Sequence, residues 1–149
     1  HAIGEVDELN SQLAVLAYNA PDDFVESIRL IQNELFNVGA ELAMSEVMIK
    51  QENVDWLEKS LDELNQSLAP LKEFILPGGG LAASHCHVAR AICRRVERSL
   101  VSLNKKDELN VYLMAYINRL SDYLFVLARA ISKQEGKGEI YWQSEKLKK

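Results

Sequence analysis

An all-α fold, an antiparallel bundle of five helices, is the architecture this 149-residue sequence predicts. Three observations carry that expectation. Apolar residues recur every three or four positions almost throughout, the spacing that gathers them on one helical face. Only three prolines and seven glycines are present, too few for a turn-rich β-sandwich. The connections between periodic stretches are short, as between antiparallel neighbours in a bundle.

The elements follow in order. Ile3, Val6, Leu9, Leu13 and Leu16 define the first helix. Pro21 with Asp22 and Asp23 signals a second start, and Phe24, Ile28, Ile31, Leu35, Val38 and Leu42 form its stripe. Gly39 lies inside that helix, where a small residue permits close packing. Residues 46–53 lose the pattern and read as a loop. A shorter third helix carries Trp56, Leu57, Leu61, Leu64 and Leu68 and ends before Pro70. Residues 69–80 are the one conspicuous irregular stretch, running Ala-Pro-Leu-Lys-Glu-Phe-Ile-Leu-Pro-Gly-Gly-Gly. The fourth helix, about 81–103, is expected to bury Val88, Ile92, Val96, Leu100 and Leu103. After Asn104-Lys105-Lys106 the fifth buries Leu109, Leu113, Tyr116, Leu120, Leu124, Leu127 and Ile131, and Gly136 and Gly138 stop it. Residues 136–149 are expected to fray. The whole of 1–149 reads as one domain.

Composition narrows the function. Hydrophobic residues make up 48% and charged residues 26%, an ordinary soluble mix that excludes global disorder. A formal net charge of −5 argues against a nucleic-acid partner, which calls for a basic excess. It leaves open a small anion held by a local cluster of cations. No apolar run approaches the ~18 residues of a membrane span. Two cysteines make no disulfide scaffold. Cys86 and Cys93 stand about 10 Å apart along a helix, too far to bridge. Free thiols without a visible secretion signal point to a reducing, cytoplasmic setting.

The polar residues of the fourth helix are the most informative. Arg90, Arg94 and Arg98 recur every four positions and share a face, about 200° around from the Val88 stripe. Guanidiniums on adjacent turns repel, so a compensating anion is expected. Phosphate oxygens suit the guanidinium fork, and so do carboxylates of a neighbouring helix or subunit. The same spacing suits a solvated face, and spacing alone leaves these open. The Pro77-Gly78-Gly79-Gly80 run either brings backbone N–H groups to an anion or is a plain loop and helix start. It is no P-loop, because no Gly-Lys-Ser/Thr follows. Asn118 and Asp122 share a face of the fifth helix beside Arg119. Phe74, in the irregular loop, either caps the bundle end or wedges against a flat ligand. His85, Cys86 and His87 point about 100° apart and cannot chelate one metal ion. No Glu-x-x-His occurs, which excludes the usual di-iron bundle.

Five segments occur in one order: Val6-Asp7-Glu8-Leu9-Asn10, Phe74 through Gly79, His87-Val-Ala-Arg90, Arg94-Arg95-Val-Glu97-Arg98, and Tyr116-Ile-Asn118-Arg119-Leu-Ser-Asp122-Tyr-Leu-Phe125. In this combination the sequence resembles the PduO-type ATP:cob(I)alamin adenosyltransferases from Ala2 to Trp142. The resemblance implies a homotrimer with active sites between subunits, in which cobalt, reduced to Co(I) by an electron-donating reductase, attacks the 5′ carbon of ATP and expels triphosphate. Magnesium accompanies the nucleotide. By the same resemblance Arg90 pairs with Asp7 of a neighbouring subunit, Arg94 contacts the polyphosphate, and Asn118 lies in the nucleotide site. Glu97 orients the arginines or supports the metal–phosphate geometry, and Phe74 closes the corrinoid site and displaces the lower axial ligand. The family usually opens with a Thr-Lys-Thr-Gly-Asp-like stretch around the ATP phosphates, and His1 stands after it. Cys86 replaces a usually large apolar residue, an exchange expected to be absorbed by packing. The alternative to an enzyme is a non-catalytic carrier or sensor of cobalamin or ATP.

Overall fold

A computed structural model of the chain describes residues 1–143. Five helices carry the fold: α1 (Ala2–Asn19), α2 (Asp22–Met44), α3 (Gln51–Gln66), α4 (Leu81–Asn104) and α5 (Val111–Gln134). The helical bundle is therefore as predicted, with one addition. Two short strands, β1 (Ile75–Leu76) and β2 (Ile140–Tyr141), pair antiparallel in the register Ile75↔Tyr141 and Leu76↔Ile140.

Packing orders the helices as α2, α1, α4, α5, α3, so α4 and α5 form the middle of the molecule. One continuous core joins Leu9, Leu13 and Leu16 of α1, Ile28, Ile31 and Leu35 of α2, Leu57 of α3, and Leu113, Tyr116, Leu120, Leu124, Leu127 and Ile131 of α5. Among the described residues no helix is long and apolar enough to cross a membrane.

Local chemistry explains most element boundaries. Asn53 accepts the Lys50 N–H at 2.8 Å, so α3 begins at Gln51, inside the stretch read from the sequence as a loop. Asn110 caps α5 by accepting from Tyr112 N at 3.0 Å; Leu109 therefore lies outside the helix. Glu41, buried near the end of α2, accepts from both Met48 N and Ile49 N, which turns the chain toward α3.

Four expectations need correction. The buried stripe of α4 is Ala82, Ala83, Cys86, Ala89, Cys93, Val96 and Leu100, whereas Val88 is 48% exposed and Ile92 and Leu103 are half-buried. Small residues form this face because α4 is squeezed between α1 and α5. Ile3 is exposed at the first turn of α1, where it lines an open cavity with Leu42 and Leu103. A side chain at Gly39 would meet open space, so its smallness serves no packing in the protomer. Residues 136–143 are docked rather than frayed, as the β1–β2 pair shows; residues 144–149 lie outside the described part.

Candidate active site

Arg90, Arg94 and Glu97 recur at i, i+4 and i+7 on the side of α4 that meets α5. Asn118, Ser121, Asp122 and Phe125 form the matching stripe of α5. Together these seven residues line an open cavity of about 370 Å³. The antiparallel pairing of α4 and α5 sets Glu97 beside Asn118, whose Nδ2 donates to Glu97 Oε2 at 2.6 Å. Arg119 donates to Asn118 Oδ1 at 2.8 Å and pairs with Asp122 at 2.9 Å, holding the amide from its other side.

Of the three arginines, Arg90 alone departs from the environment of a surface row. Arg90 is half-buried, and its Nε donates to Nδ1 of the buried His87 at 3.4 Å. Burial lowers the Arg90 pKa, and the neighbouring Arg94 charge lowers it further. Burial also pulls His87 down to about 4, with Arg90 adding to the effect, so the imidazole is neutral and able to accept. Arg94 and Arg98 are exposed, and Arg98 does not line the cavity. Among the described residues none of Arg90, Arg94 and Arg98 has a carboxylate within ion-pairing distance. Glu97 bonds to Asn118 and to none of these arginines in the protomer. Arg90 and Arg94 thus line the cavity without an ion-pair partner among the described residues, while the carboxylates of Glu97 and Asp122 line it with them.

Asp7 is exposed on α1 and makes no ion pair among the described residues. The protomer does not bring it to Arg90. Its neighbours in α1, Glu5 and Glu8, both bind Arg95 on the opposite flank of α4.

Phe74 stands 74% exposed over a second cavity, about 310 Å³, lined by Leu71, Lys72, Glu73, Phe74, Ile75 and Phe125. Phe125 lines both cavities and meets His87 edge-on at 6.1 Å. The spacing of Phe125, seven residues beyond Asn118 on one helical face, was the sequence signal that could have found it.

The triple glycine packs against the turn that follows α5. Gly79 has φ +87°, and a Cβ there would lie 2.7 Å from Ser132 Oγ and 3.0 Å from the Gly138 carbonyl. At Gly80, φ is +111° and the clash would be with Lys137. These glycines let the loop lie directly on the turn after α5, and no anion approach is needed to explain them. Cys86 and Cys93 are free, as expected; both are buried and donate to the Leu124 and Ile117 carbonyls.

Fold and site together define an all-helical protein with an arginine-lined cavity that shares Phe125 with an aromatic cavity. The family described as cobalamin adenosyltransferase matches residues 1–131. A cobalamin adenosyltransferase of Cupriavidus metallidurans is 42% identical over 148 residues, 97% of this chain and 80% of the relative. A corrinoid adenosyltransferase of Bacillus subtilis is 36% identical, over 94% of this chain and 77% of the relative. Among solved structures, a variant of the PduO-type ATP:corrinoid adenosyltransferase from Lactobacillus reuteri complexed with ATP superposes with a TM-score of 0.91 at 36% identity, covering 95% of this chain and 85% of that one. Another variant of that protein, complexed with cobalamin and ATP, gives 0.88 at 35% identity, covering 96% and 84%. The chain belongs to the cobalamin adenosyltransferase family.

Proposed function

We propose that this chain transfers the 5′-deoxyadenosyl group of ATP to the cobalt of a reduced cob(I)alamin, releasing triphosphate. One observation carries the reading: the arginine cavity and the Phe74 cavity meet at Phe125, so a polyphosphate in one sits next to a flat macrocycle in the other. In the reaction the Co(I) electron pair forms the Co–C bond as the 5′ C–O bond breaks. The departing triphosphate gains negative charge, which preorganised guanidiniums stabilise. Arg94, exposed and unpaired, is the group placed to meet it, with Arg90 behind. Asn118, clamped by Glu97 and Arg119, holds the nucleotide in place. Phe74 excludes water and the lower ligand from the cobalt. In the Lactobacillus reuteri variants the altered residues are a phenylalanine and an arginine, as far apart in sequence as Phe74 and Arg94 are here.

Magnesium suits the donor set as an ion carried by the nucleotide. Glu97 and Asp122 are the carboxylates of the arginine cavity, and among the described residues no group of three or more metal-ligating side chains gathers. One or two carboxylates plus substrate phosphates are what Mg²⁺ commonly takes. Bound there, it neutralises phosphate charge. The unpaired Arg90 and Asp7 support a homotrimer in which each answers the other across a subunit boundary. A cytoplasmic setting and a separate reductase as electron donor complete the proposal.

The test is a cobalt-spectrum assay with ATP and chemically reduced cobalamin. Formation of the alkylated cobalt spectrum is expected; a spectral shift without that product would make the protein a carrier. Arg94→Ala is expected to lose at least about a hundredfold in turnover with its helical circular dichroism unchanged. Near-normal turnover in that variant would remove the mechanism.

A further inference from the structure

The chain beyond α5 reaches back to the one aromatic side chain that stands exposed over the second cavity. Trp142 N–H donates to the Phe74 carbonyl at 2.8 Å, continuing the β1–β2 pairing by one residue. The two rings meet edge to face, with centroids 6.1 Å apart and planes at 64°, within the range aromatic pairs prefer. Two paired residues on each side would not hold a segment by themselves. This segment is anchored at its root. Glu139 forms an ion pair with the buried Arg129, Arg129 also donates to the Ala69 carbonyl at 2.7 Å, and Ser132 Oγ donates to the Gly138 carbonyl at 2.9 Å. Gly79 lies against the same turn.

We propose that Trp142 is a positioning residue for Phe74, with the C-terminal strand fixing the loop backbone and the indole fixing the phenyl ring over its cavity. The inference rests on the corrinoid reading of that cavity. Its physical basis is preorganisation. An exposed ring samples several rotamers, and a wedge that must exclude a ligand works only in the fraction of time it occupies the right one. The Phe74 ring is 74% exposed, and Trp142 gives it an edge-to-face aromatic neighbour. Trp142 is delivered to it by a rigid root.

The experiment compares Trp142→Ala, Trp142→Phe, Phe74→Ala and the double alanine variant in the intact protein. Turnover is measured from Co(II) with a reductant and, separately, from chemically prepared Co(I). Trp142→Ala is expected to lose about tenfold from Co(II) and little from Co(I), with KM for ATP unchanged. Trp142→Phe recovers most of the loss, and the double variant is no worse than Phe74→Ala alone. Full Co(II) turnover in Trp142→Ala, or losses that multiply in the double variant, would overturn the proposal. A second reading is independent of turnover. In a Trp56→Phe background Trp142 is the sole tryptophan, and its emission is expected to shift when Phe74 becomes alanine. An unchanged emission means the rings do not meet in solution and overturns the proposal as well. Absence of any alkylated product in the unmodified protein would instead reject the adenosyltransferase reading, and the emission shift would still decide the contact.

Discussion

Arg90 leans on a neutral imidazole, and that has a consequence for stability. Folding lowers the His87 pKa from 6.5 to about 4, through burial first and the Arg90 charge second, with Glu139 opposing. The unfolded chain therefore binds the additional proton between those values. Stability from this group is complete above pH 6.5 and is lost as pH falls toward 4. Urea unfolding is expected to show a loss of about 2 kcal/mol between pH 7 and 4.5 that is absent in His87→Gln, which keeps an acceptor for Arg90 but cannot titrate. Equal pH slopes in the two proteins would refute it. Phe74 carries a prediction of a different kind. Phe74→Ala is expected to bind ATP normally and to lose most turnover from Co(II) while keeping much more from Co(I), because only the first route needs the lower ligand removed. Equal losses by both routes would end the wedge role. The residue types of this site were legible: an arginine every fourth position, and Asn118 with Asp122 on one face. The Arg90–His87 contact joins residues three apart on one helix and was legible too; that the imidazole is buried and neutral was not, because burial depends on how α4 packs.

At the level of elements, α4 and the segment after α5 show where periodicity misleads. Spacing marks a stripe but does not say which of two neighbouring stripes is pressed into the core. Val88 and Ile92 are the larger residues, yet the Ala82–Cys86–Ala89–Cys93 row is buried because two helices flank α4 closely. The segment after α5 looked polar and glycine-rich, and what holds it is tertiary: Glu139 on the buried Arg129, and Trp142 N–H on the distant Phe74 carbonyl. Removing the carboxylate leaves a guanidinium that is 8% exposed without its partner. Glu139→Ala is expected to cost about 3 kcal/mol in urea unfolding. A loss below about 1 kcal/mol would mean the pair is solvated and worth no more than a surface salt bridge.

For the whole molecule, the informative feature is charge left over. Arg90, Arg94 and Asp7 lack partners of opposite sign among the described residues, although Arg95, Arg119 and Arg129 all have them. Assembly across an Asp7–Arg90 contact accounts for both signs at once. Asp7→Arg is expected to shift sedimentation toward the monomer, because like charges would then face each other. The exchange Asp7→Arg with Arg90→Asp is expected to restore the assembly. An unaltered sedimentation profile in the single variant would place the contact elsewhere.

Helix number, order and the identity of the charged rows were written in the sequence, since apolar periodicity and i, i+4 spacing act locally and survive any arrangement of the bundle. Which stripe of α4 is buried, why three glycines stand together, and what Trp142 touches were decided by tertiary structure. Each depends on the separation of segments distant in the chain, and no window of neighbouring residues contains that distance.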